Sequence, residues 1–138
     1  NLDSSIDFFL QRRARSVKNY PGLLDISFAG HIDSGETPLE AARREAKEEV
    51  GYDLDTSKLV YIFGYRNFDN GTKWEYLYQV EPSVEFTIDD AEIEEMQRIS
   101  LEKFEVMVQD PELHELVPHL PEYYSLLIKA LRHYSENH

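Results

Sequence analysis

The sequence contains no cysteine, and this absence excludes several classes of protein and site. A chain without thiols has no disulfide scaffold, no thiolate zinc site and no cysteine nucleophile. It also lacks any apolar run near the roughly 20 residues that span a bilayer, and it opens with no secretory signal pattern. We therefore predict a cytoplasmic protein without a membrane partner.

Basic residues are scarce, with 14 Lys and Arg against 27 Asp and Glu and a net charge of −13. Such a chain repels nucleic acid, so we predict no nucleic-acid partner. Four of the bases nevertheless fall within seven residues: Arg12, Arg13, Arg15 and Lys18. This cluster is either ordinary surface charge or an anion-binding patch beside carboxylates that bind cations.

The length of 138 residues predicts a single domain over residues 1–138. Runs rich in β-branched and aromatic residues, bounded by turn residues, predict strands at 6–10, 23–29, 59–66, 73–80 and 96–99. Helices are predicted at 37–50, 101–108 and about 122–134. Strands interspersed with helices are typical of an α/β or α+β sandwich.

The predicted helix at 37–50 has unusually complete start and stop signals. Thr37 can cap it, Pro38 suits its first position, and Glu40 completes a capping box. Gly51 is suited to ending it in a left-handed conformation. Helical spacing predicts one apolar stripe of Leu39, Ala42, Ala46 and Val50.

Three carboxylates on the same helix, Glu45, Glu48 and Glu49, fall on one arc because spacings of three and four share a face. Like charges so placed repel one another unless a cation neutralises them. An all-oxygen set of this kind suits Mg²⁺ or Mn²⁺. The alternative is a solvated helix face on which these glutamates pair with Arg44 and Lys47.

Residues 30–52 read GHIDSGETPLEAARREAKEEVGY and resemble the Nudix box. That pattern is Gly, five residues, Glu, seven residues, Arg-Glu, an aliphatic, any residue, Glu-Glu, any residue, Gly and an aliphatic. Its fixed positions match Gly30, Glu36, Arg44, Glu45, Glu48, Glu49 and Gly51. Ala46 and Tyr52 depart mildly at the two aliphatic positions. The resemblance extends over roughly residues 6–108.

The resemblance implies an α/β/α sandwich with a mixed sheet, a catalytic loop and helix at 30–52, and metal-dependent attack of water on a diphosphate. It places Arg44 as the residue that orients the glutamates and Glu36 as a brace between loop and helix. Glu45 is either a metal ligand or the general base. The implied metal ligands are the carboxylates of Glu45, Glu48 and Glu49 and the carbonyl of Gly30.

Residues 12–31, RRARSVKNYPGLLDISFAGH, resemble the segment before the box in type 1 isopentenyl-diphosphate isomerases and related hydrolases. Those isomerases use a cysteine for proton transfer where this chain has Ala29. They also depart from the Arg-Glu core that this chain keeps at Arg44 and Glu45. We therefore predict a hydrolase, with an isomerase-like enzyme or a non-catalytic binding module as alternatives.

The same resemblance adds flanking site residues. Arg13 and Lys18 match basic diphosphate contacts, His31 matches a metal-binding histidine, and Glu75 falls near a catalytic glutamate. The alternatives are an exposed basic turn, a structural histidine and a half-buried strand residue. From the acidic loop, Glu92 or Glu95 is the candidate for an extra base or ligand.

The predicted partner is a small-molecule diphosphate, either an organic diphosphate or a nucleoside diphosphate derivative. The chain begins at Asn1, directly before a strand-like run, which suggests a trimmed N-terminus. An open sheet edge there would be a place for a partner chain, so a homodimer is among the states that the sequence allows.

Overall fold

A computed structural model describes residues 6–26, 33–67 and 71–137. Five strands and three helices lie within these ranges: β1 (Asp7–Arg13), β2 (Leu24–Ile26), α1 (Pro38–Val50), β3 (Val60–Asn67), β4 (Gly71–Leu77), β5 (Ile93–Ser100), α2 (Leu101–Met107) and α3 (Pro121–Asn137). The chain divides into two compact units. The first comprises residues up to 27 and from 90 onward, and the second comprises residues 28–89.

The first unit is built on a three-stranded sheet in the order β2-β1-β5, with both pairs antiparallel. Leu24 also forms an isolated parallel bridge to Leu116, which lies outside the strands of this sheet. β5 leads directly into α2, whose cap is Ser100; its hydroxyl accepts a hydrogen bond from the Lys103 N–H at 3.1 Å.

The core of the first unit is centred on Phe104 of α2, which is fully buried. Its ring makes an edge-to-face contact with Phe8 of β1, with centroids 5.0 Å apart. A second edge-to-face contact joins it to Tyr124 of α3 at 5.8 Å. Aromatic pairs in this geometry add to the stabilisation from burial alone, so this ring ties the sheet to both helices of the unit.

The second unit contains α1, a short 3₁₀ turn at Thr56–Lys58, and the antiparallel hairpin of β3 and β4. The register shifts between Tyr61 and Phe63, as at a β-bulge. Gly64 lies opposite Trp74, and a side chain at position 64 would come within 2.8 Å of the Tyr61 hydroxyl. A side chain at position 64 would therefore displace the exposed Tyr61 side chain, whereas the nearest backbone atom, the Lys73 carbonyl oxygen, would be 3.2 Å away.

The predicted elements are confirmed, with shifts of a few residues at their ends. The strand predicted at 96–99 extends over Ile93–Ser100, and the terminal helix extends over Pro121–Asn137. Residues 27–29 of the second predicted strand lie outside the described residues. That residues 1–138 form one domain stays a prediction. In the part of the chain that the structure describes, no helix has the length and apolarity that membrane crossing needs.

The apolar stripe of α1 is only partly as predicted. Ala46 and Val50 are buried, but Leu39 is 38% exposed and Ala42 is half-buried. Ala41 is buried in their place. The prediction was wrong at Leu39 because the first turn of α1 lies at the surface, so helical spacing alone does not say where the packed part of the face begins.

Candidate active site

The helix that carries the predicted site begins and ends as its sequence dictates. The Thr37 hydroxyl accepts from the Glu40 N–H at 3.2 Å, and the Glu40 carboxylate accepts from the Thr37 N–H at 2.8 Å. This is a complete capping box. At the other end Gly51 adopts the left-handed conformation, with φ of +66°. The glutamates on α1 therefore lie on a helix that is capped at both ends.

Arg44 lies at the centre of the carboxylates on this helix. Its guanidinium donates from Nε to Glu36 Oε2 at 2.8 Å and from Nη2 to Glu36 Oε1 at 3.1 Å. The remaining nitrogen, Nη1, donates to Glu45 Oε1 and to Glu48 Oε1, each at 3.0 Å. One planar cation thus holds three carboxylates, and Asp33 lies 3.4 Å away as a fourth.

The charges of this cluster reinforce one another. The hydrogen bond from Arg44, followed by that from the Asp33 N–H, holds the pKa of Glu36 below its ordinary value. Conversely, Glu36 and the neighbouring carboxylates raise the pKa of Arg44. The cluster therefore keeps a permanent positive charge among carboxylates that would otherwise repel one another.

The donor set on α1 fits the metal that the sequence predicts, because carboxylate oxygens are the ligands that Mg²⁺ and Mn²⁺ prefer. Glu48 is 56% exposed and Glu45 is 16% exposed, so the former side chain is the more accessible of the two. Among the described residues, no three acidic or histidine side chains are already grouped as a metal site. Gly30 and His31 lie outside the described residues.

Both interpretations of the glutamates predict contacts with Arg44. The solvated-face alternative predicted ion pairs from Arg44, and the structure contains them with Glu45 and Glu48. The family resemblance predicted that Arg44 orients the same carboxylates, which needs the same contacts. The roles of Glu45, Glu48 and Glu49 in metal binding and catalysis stay predictions.

The C-terminal end of α1 is held by a segment that sequence reasoning missed. The Asp89 N–H donates to the carbonyl of Glu49, and the Thr87 N–H donates to the carbonyl of Val50, each at 2.9 Å. Glu49 itself is half-buried. No local pattern links residues 87–89 to position 49, since the contact depends on how the chain returns after β4.

The basic segment lies in the first unit, where most of its charges are already paired. Arg13 donates from Nε to the carbonyl of Asn19 at 2.8 Å, and its Nη1 lies 4.0 Å from Asp25. Arg12 pairs with Glu95 at 3.2 Å. Lys18 is exposed and forms no ion pair with the residues that the structure describes. Lys18 is therefore the most available cation of the four.

The other predicted carboxylates are distributed over both units. Glu95, besides pairing with Arg12, lies opposite it in the register of β1 and β5. The carbonyl of Glu92 accepts from the Ala14 N–H at 3.0 Å. Glu75 is half-buried on β4, opposite Phe63 of β3. A site role for each of these carboxylates stays a prediction.

A second feature without a sequence signal is the pair of Asp25 and His119 in the first unit. His119 Nε2 lies 2.8 Å from Asp25 Oδ1, and the imidazole stacks on Tyr123 with ring centroids 4.3 Å apart. These residues are 94 positions apart, so only the folded chain brings them together.

Several known proteins are similar to this chain in sequence. The NUDIX domain family matches residues 2–122. An uncharacterized Nudix hydrolase of Listeria innocua is 33% identical over 100 residues, covering 71% of this chain and 58% of the relative. An isopentenyl-diphosphate Delta-isomerase of Corynebacterium diphtheriae is 39% identical over 77 residues, covering 50% of this chain and 41% of the isomerase. The matched segments thus leave much of each relative's length uncovered.

Solved structures show the same fold. A crystal structure of a Deinococcus radiodurans protein superposes with a TM-score of 0.69 at 22% identity, covering 86% of this chain and 73% of the other. A MutT/nudix family protein from Enterococcus faecalis gives 0.58 at 16% identity, covering 70% of this chain and 38% of the other. These likenesses confirm the predicted fold class. The family match over residues 2–122 shows that this chain belongs to the NUDIX family, in a branch that resembles the isopentenyl-diphosphate isomerases.

Proposed function

We propose that this chain catalyses the divalent-metal-dependent hydrolysis of a diphosphate bond in an organic or nucleoside diphosphate derivative. The observation that carries the proposal is the set of hydrogen bonds from Arg44. Its guanidinium is fixed by Glu36 and donates to both Glu45 and Glu48 on α1. Membership of the NUDIX family supports it independently. A cytoplasmic location stays a prediction.

The residues of the chain have separate tasks in this proposal. Glu48 and Glu49 hold Mg²⁺ or Mn²⁺, and Glu45 is a further ligand or takes the proton of the attacking water. Arg44 and Glu36 keep these carboxylates in place. The metal, when bound, neutralises the diphosphate and increases the acidity of bound water. Arg13 and Lys18 are the proposed contacts to phosphate oxygens, as charge-assisted donors.

An isomerase is the second candidate, because relatives that carry that name are 39% and 34% identical over parts of this chain. The absence of cysteine from all 138 residues disfavours it. The cysteine that the isomerases use for proton transfer has Ala29 in its place here, and a methyl group transfers no proton. Deuterium uptake from heavy water into isopentenyl diphosphate separates the two reactions, because hydrolysis leaves the carbon skeleton unlabelled.

The decisive experiment is product identification by mass spectrometry with Mg²⁺ or Mn²⁺. The substrates are isopentenyl and geranyl diphosphates, nucleoside di- and triphosphates, ADP-ribose, dinucleotides and coenzyme A. We expect cleavage of one class by the wild type, and loss of at least about 100-fold in Glu48→Gln with the fold retained. Arg43→Gln, which changes the neighbouring arginine, is the matched control and should retain activity.

Two results would contradict the proposal. Equal turnover by the wild type and Glu48→Gln would mean that the carboxylate cluster is not required for catalysis. Saturable binding of a diphosphate without product at any metal concentration would favour a binding module. The oligomeric state is a separate proposal, a homodimer, which sedimentation of the whole chain tests directly.

A further inference from the structure

The end of α1 that carries Glu48 and Glu49 is fixed from outside the helix. The last four carbonyls of a helix have no partner within it. Here the carbonyls of Glu49 and Val50 accept from Asp89 and Thr87, while the Gly51 N–H donates to the Lys47 carbonyl at 3.2 Å. We call residues 86–89 the capping segment. Its alternate N–H groups, at 87 and 89, point to successive carbonyls of the helix.

Gly51 brings the helix end and the capping segment into direct contact. A Cβ at position 51 would lie 2.9 Å from the Thr87 Cβ and 3.0 Å from the Thr87 carbonyl oxygen. Real Cβ atoms do not approach other carbons so closely, so a side chain there would push the capping segment away. Gly35 offers a contrast, since it also has a positive φ, of +86°, yet a Cβ there would meet nothing within 4 Å.

Aromatic contacts of the residue after Gly51 also stabilise the C-terminal end of α1. Tyr52, directly after Gly51, packs edge-to-face on Tyr78 with centroids 5.8 Å apart and lies against Phe86 at 6.2 Å. Burial, with Glu81 and Tyr78 nearby, raises the pKa of Tyr52. An aromatic side chain thus occupies a position where the Nudix box has an aliphatic one, and it contacts the capping segment.

We infer that the capping segment is a positioning element for the carboxylate of Glu49, acting through the Asp89 N–H on the Glu49 carbonyl and the close contact of Thr87 with Gly51. A fixed carbonyl fixes the Cα of the same residue, and therefore the origin of its side chain. Groups that orient a metal ligand commonly change metal affinity by 10–100-fold when they are lost. The inference rests on the proposed function, in which Glu49 binds metal.

The test is the affinity of the whole chain for Mn²⁺, measured by titration calorimetry on the wild type and three variants. We expect Gly51→Ala to weaken Mn²⁺ binding by about tenfold. Gly35→Ala, the matched control, carries the same left-handed backbone cost without the clash and should stay within about twofold of the wild type. Thr87→Val keeps the N–H and the side-chain shape, so it should bind as the wild type does. Circular dichroism confirms that each protein is folded.

Hydrogen exchange on the wild type tests the same inference without a substitution that can unfold the protein. If Glu49 and the capping segment are coupled, Mn²⁺ must slow amide exchange at Thr87 and Asp89, because coupling between two sites is reciprocal. We expect slowing of at least about tenfold, and none in Glu49→Gln. Exchange must be followed with diamagnetic Mg²⁺ in parallel if NMR is the detector.

The outcomes separate the two proposals. Wild type that binds Mn²⁺, with Gly51→Ala binding equally well or with exchange at 87 and 89 unchanged, overturns the positioning role and leaves the proposed function intact. Wild type that binds no divalent metal overturns the proposed function and this inference together. An equal loss in Gly51→Ala and Gly35→Ala would assign the effect to general backbone strain and also overturn the inference.

Discussion

Arg44 and Glu36 form a two-point ion pair, with Nε to Oε2 at 2.8 Å and Nη2 to Oε1 at 3.1 Å. The pair joins the loop before α1 to the second turn of that helix. It uses the edge of the guanidinium that carries Nε and Nη2, and it leaves Nη1 for Glu45 and Glu48. Because the guanidinium is planar, the contact with Glu36 fixes the direction in which Nη1 points.

Replacing Arg44 with lysine should therefore damage the site although the charge is kept. An ammonium group cannot hold Glu36 at two points and also reach Glu45 and Glu48 in fixed directions. We expect Arg44→Lys to lower metal-dependent hydrolysis by about 10–100-fold. The measurement is kcat/KM with the substrate identified above.

The neighbouring arginine provides a matched control for that variant. Arg43 also makes a two-point pair, from Nε to Asp53 Oδ1 at 2.9 Å and from Nη2 to Asp53 Oδ2 at 3.4 Å, but it is exposed. Arg43→Lys should change kcat/KM by less than about twofold, since exposed pairs contribute little. Equal losses in both variants would contradict the special position of Arg44.

The ion pair of Arg44 and Glu36 should also make the free energy of unfolding depend on pH in the acidic range. The pKa of Glu36 is lowered in the folded protein, chiefly by the hydrogen bond from Arg44. Its contribution is therefore present above the unfolded value of about 4.3 and is lost as pH falls through the lower folded value. We expect wild type to be more stable than Glu36→Gln at neutral pH, with a difference that shrinks below about pH 4.3. Urea unfolding at several pH values measures it, and a constant difference would contradict the assignment.

Alkaline pH should weaken the first unit through Tyr124. Its hydroxyl donates to the Val117 carbonyl, and burial, with the nearby charge of Asp25, raises its pKa. A raised pKa means that stability is fully present below the unfolded value of about 10 and is lost as pH rises through the folded value. Tyr124→Phe should cost about 1 kcal/mol near neutral pH through the lost hydrogen bond.

The same variant should remove the alkaline dependence that Tyr124 causes. Unfolding curves at pH 8 and above distinguish the two proteins, because phenylalanine does not ionise. If wild type and Tyr124→Phe lose stability in parallel above pH 10, another group is responsible and the assignment to Tyr124 is wrong.

The core of the first unit should be most sensitive at Phe104. Its ring is fully buried between Phe8 and Tyr124. We expect Phe104→Ala to lower the free energy of unfolding by about 3–5 kcal/mol through lost burial and the cavity left behind. Val106→Ala on the same helix is the control, since Val106 is 59% exposed and should cost little. A small effect at Phe104 would mean that the ring is not the centre of this core.

The structure of α1 shows which features of this helix the sequence could predict. The capping box of Thr37 and Glu40 and the left-handed Gly51 are local, and the observed helix, Pro38–Val50, ends where they predict. Its buried face was predicted less well, because Leu39 is exposed and Ala41 is buried. Periodicity defines which residues share a face, but the neighbouring elements decide which turns of that face are covered.

The contacts of the basic residues could not be predicted from the local sequence. Arg12, Arg13, Arg15 and Lys18 look alike in the sequence, yet Arg12 pairs with Glu95 across the sheet and Arg13 bonds to the Asn19 carbonyl. Strand register sets the first contact and a turn sets the second. The sequence could therefore identify a basic cluster, but it could not say that Lys18 is its most available member.

By itself, the sequence determined the family, the helix that carries the glutamates and the elements on either side of it. These follow from short-range rules: residue spacing, capping and turn chemistry, and the fixed positions of the Nudix box. Only the tertiary structure decided that Arg44 holds Glu36 with one edge and Glu45 and Glu48 with another, and that Asp89 and Thr87 hold the end of the same helix. The physical reason is that side-chain direction and long-range hydrogen bonds depend on packing, which no local pattern encodes.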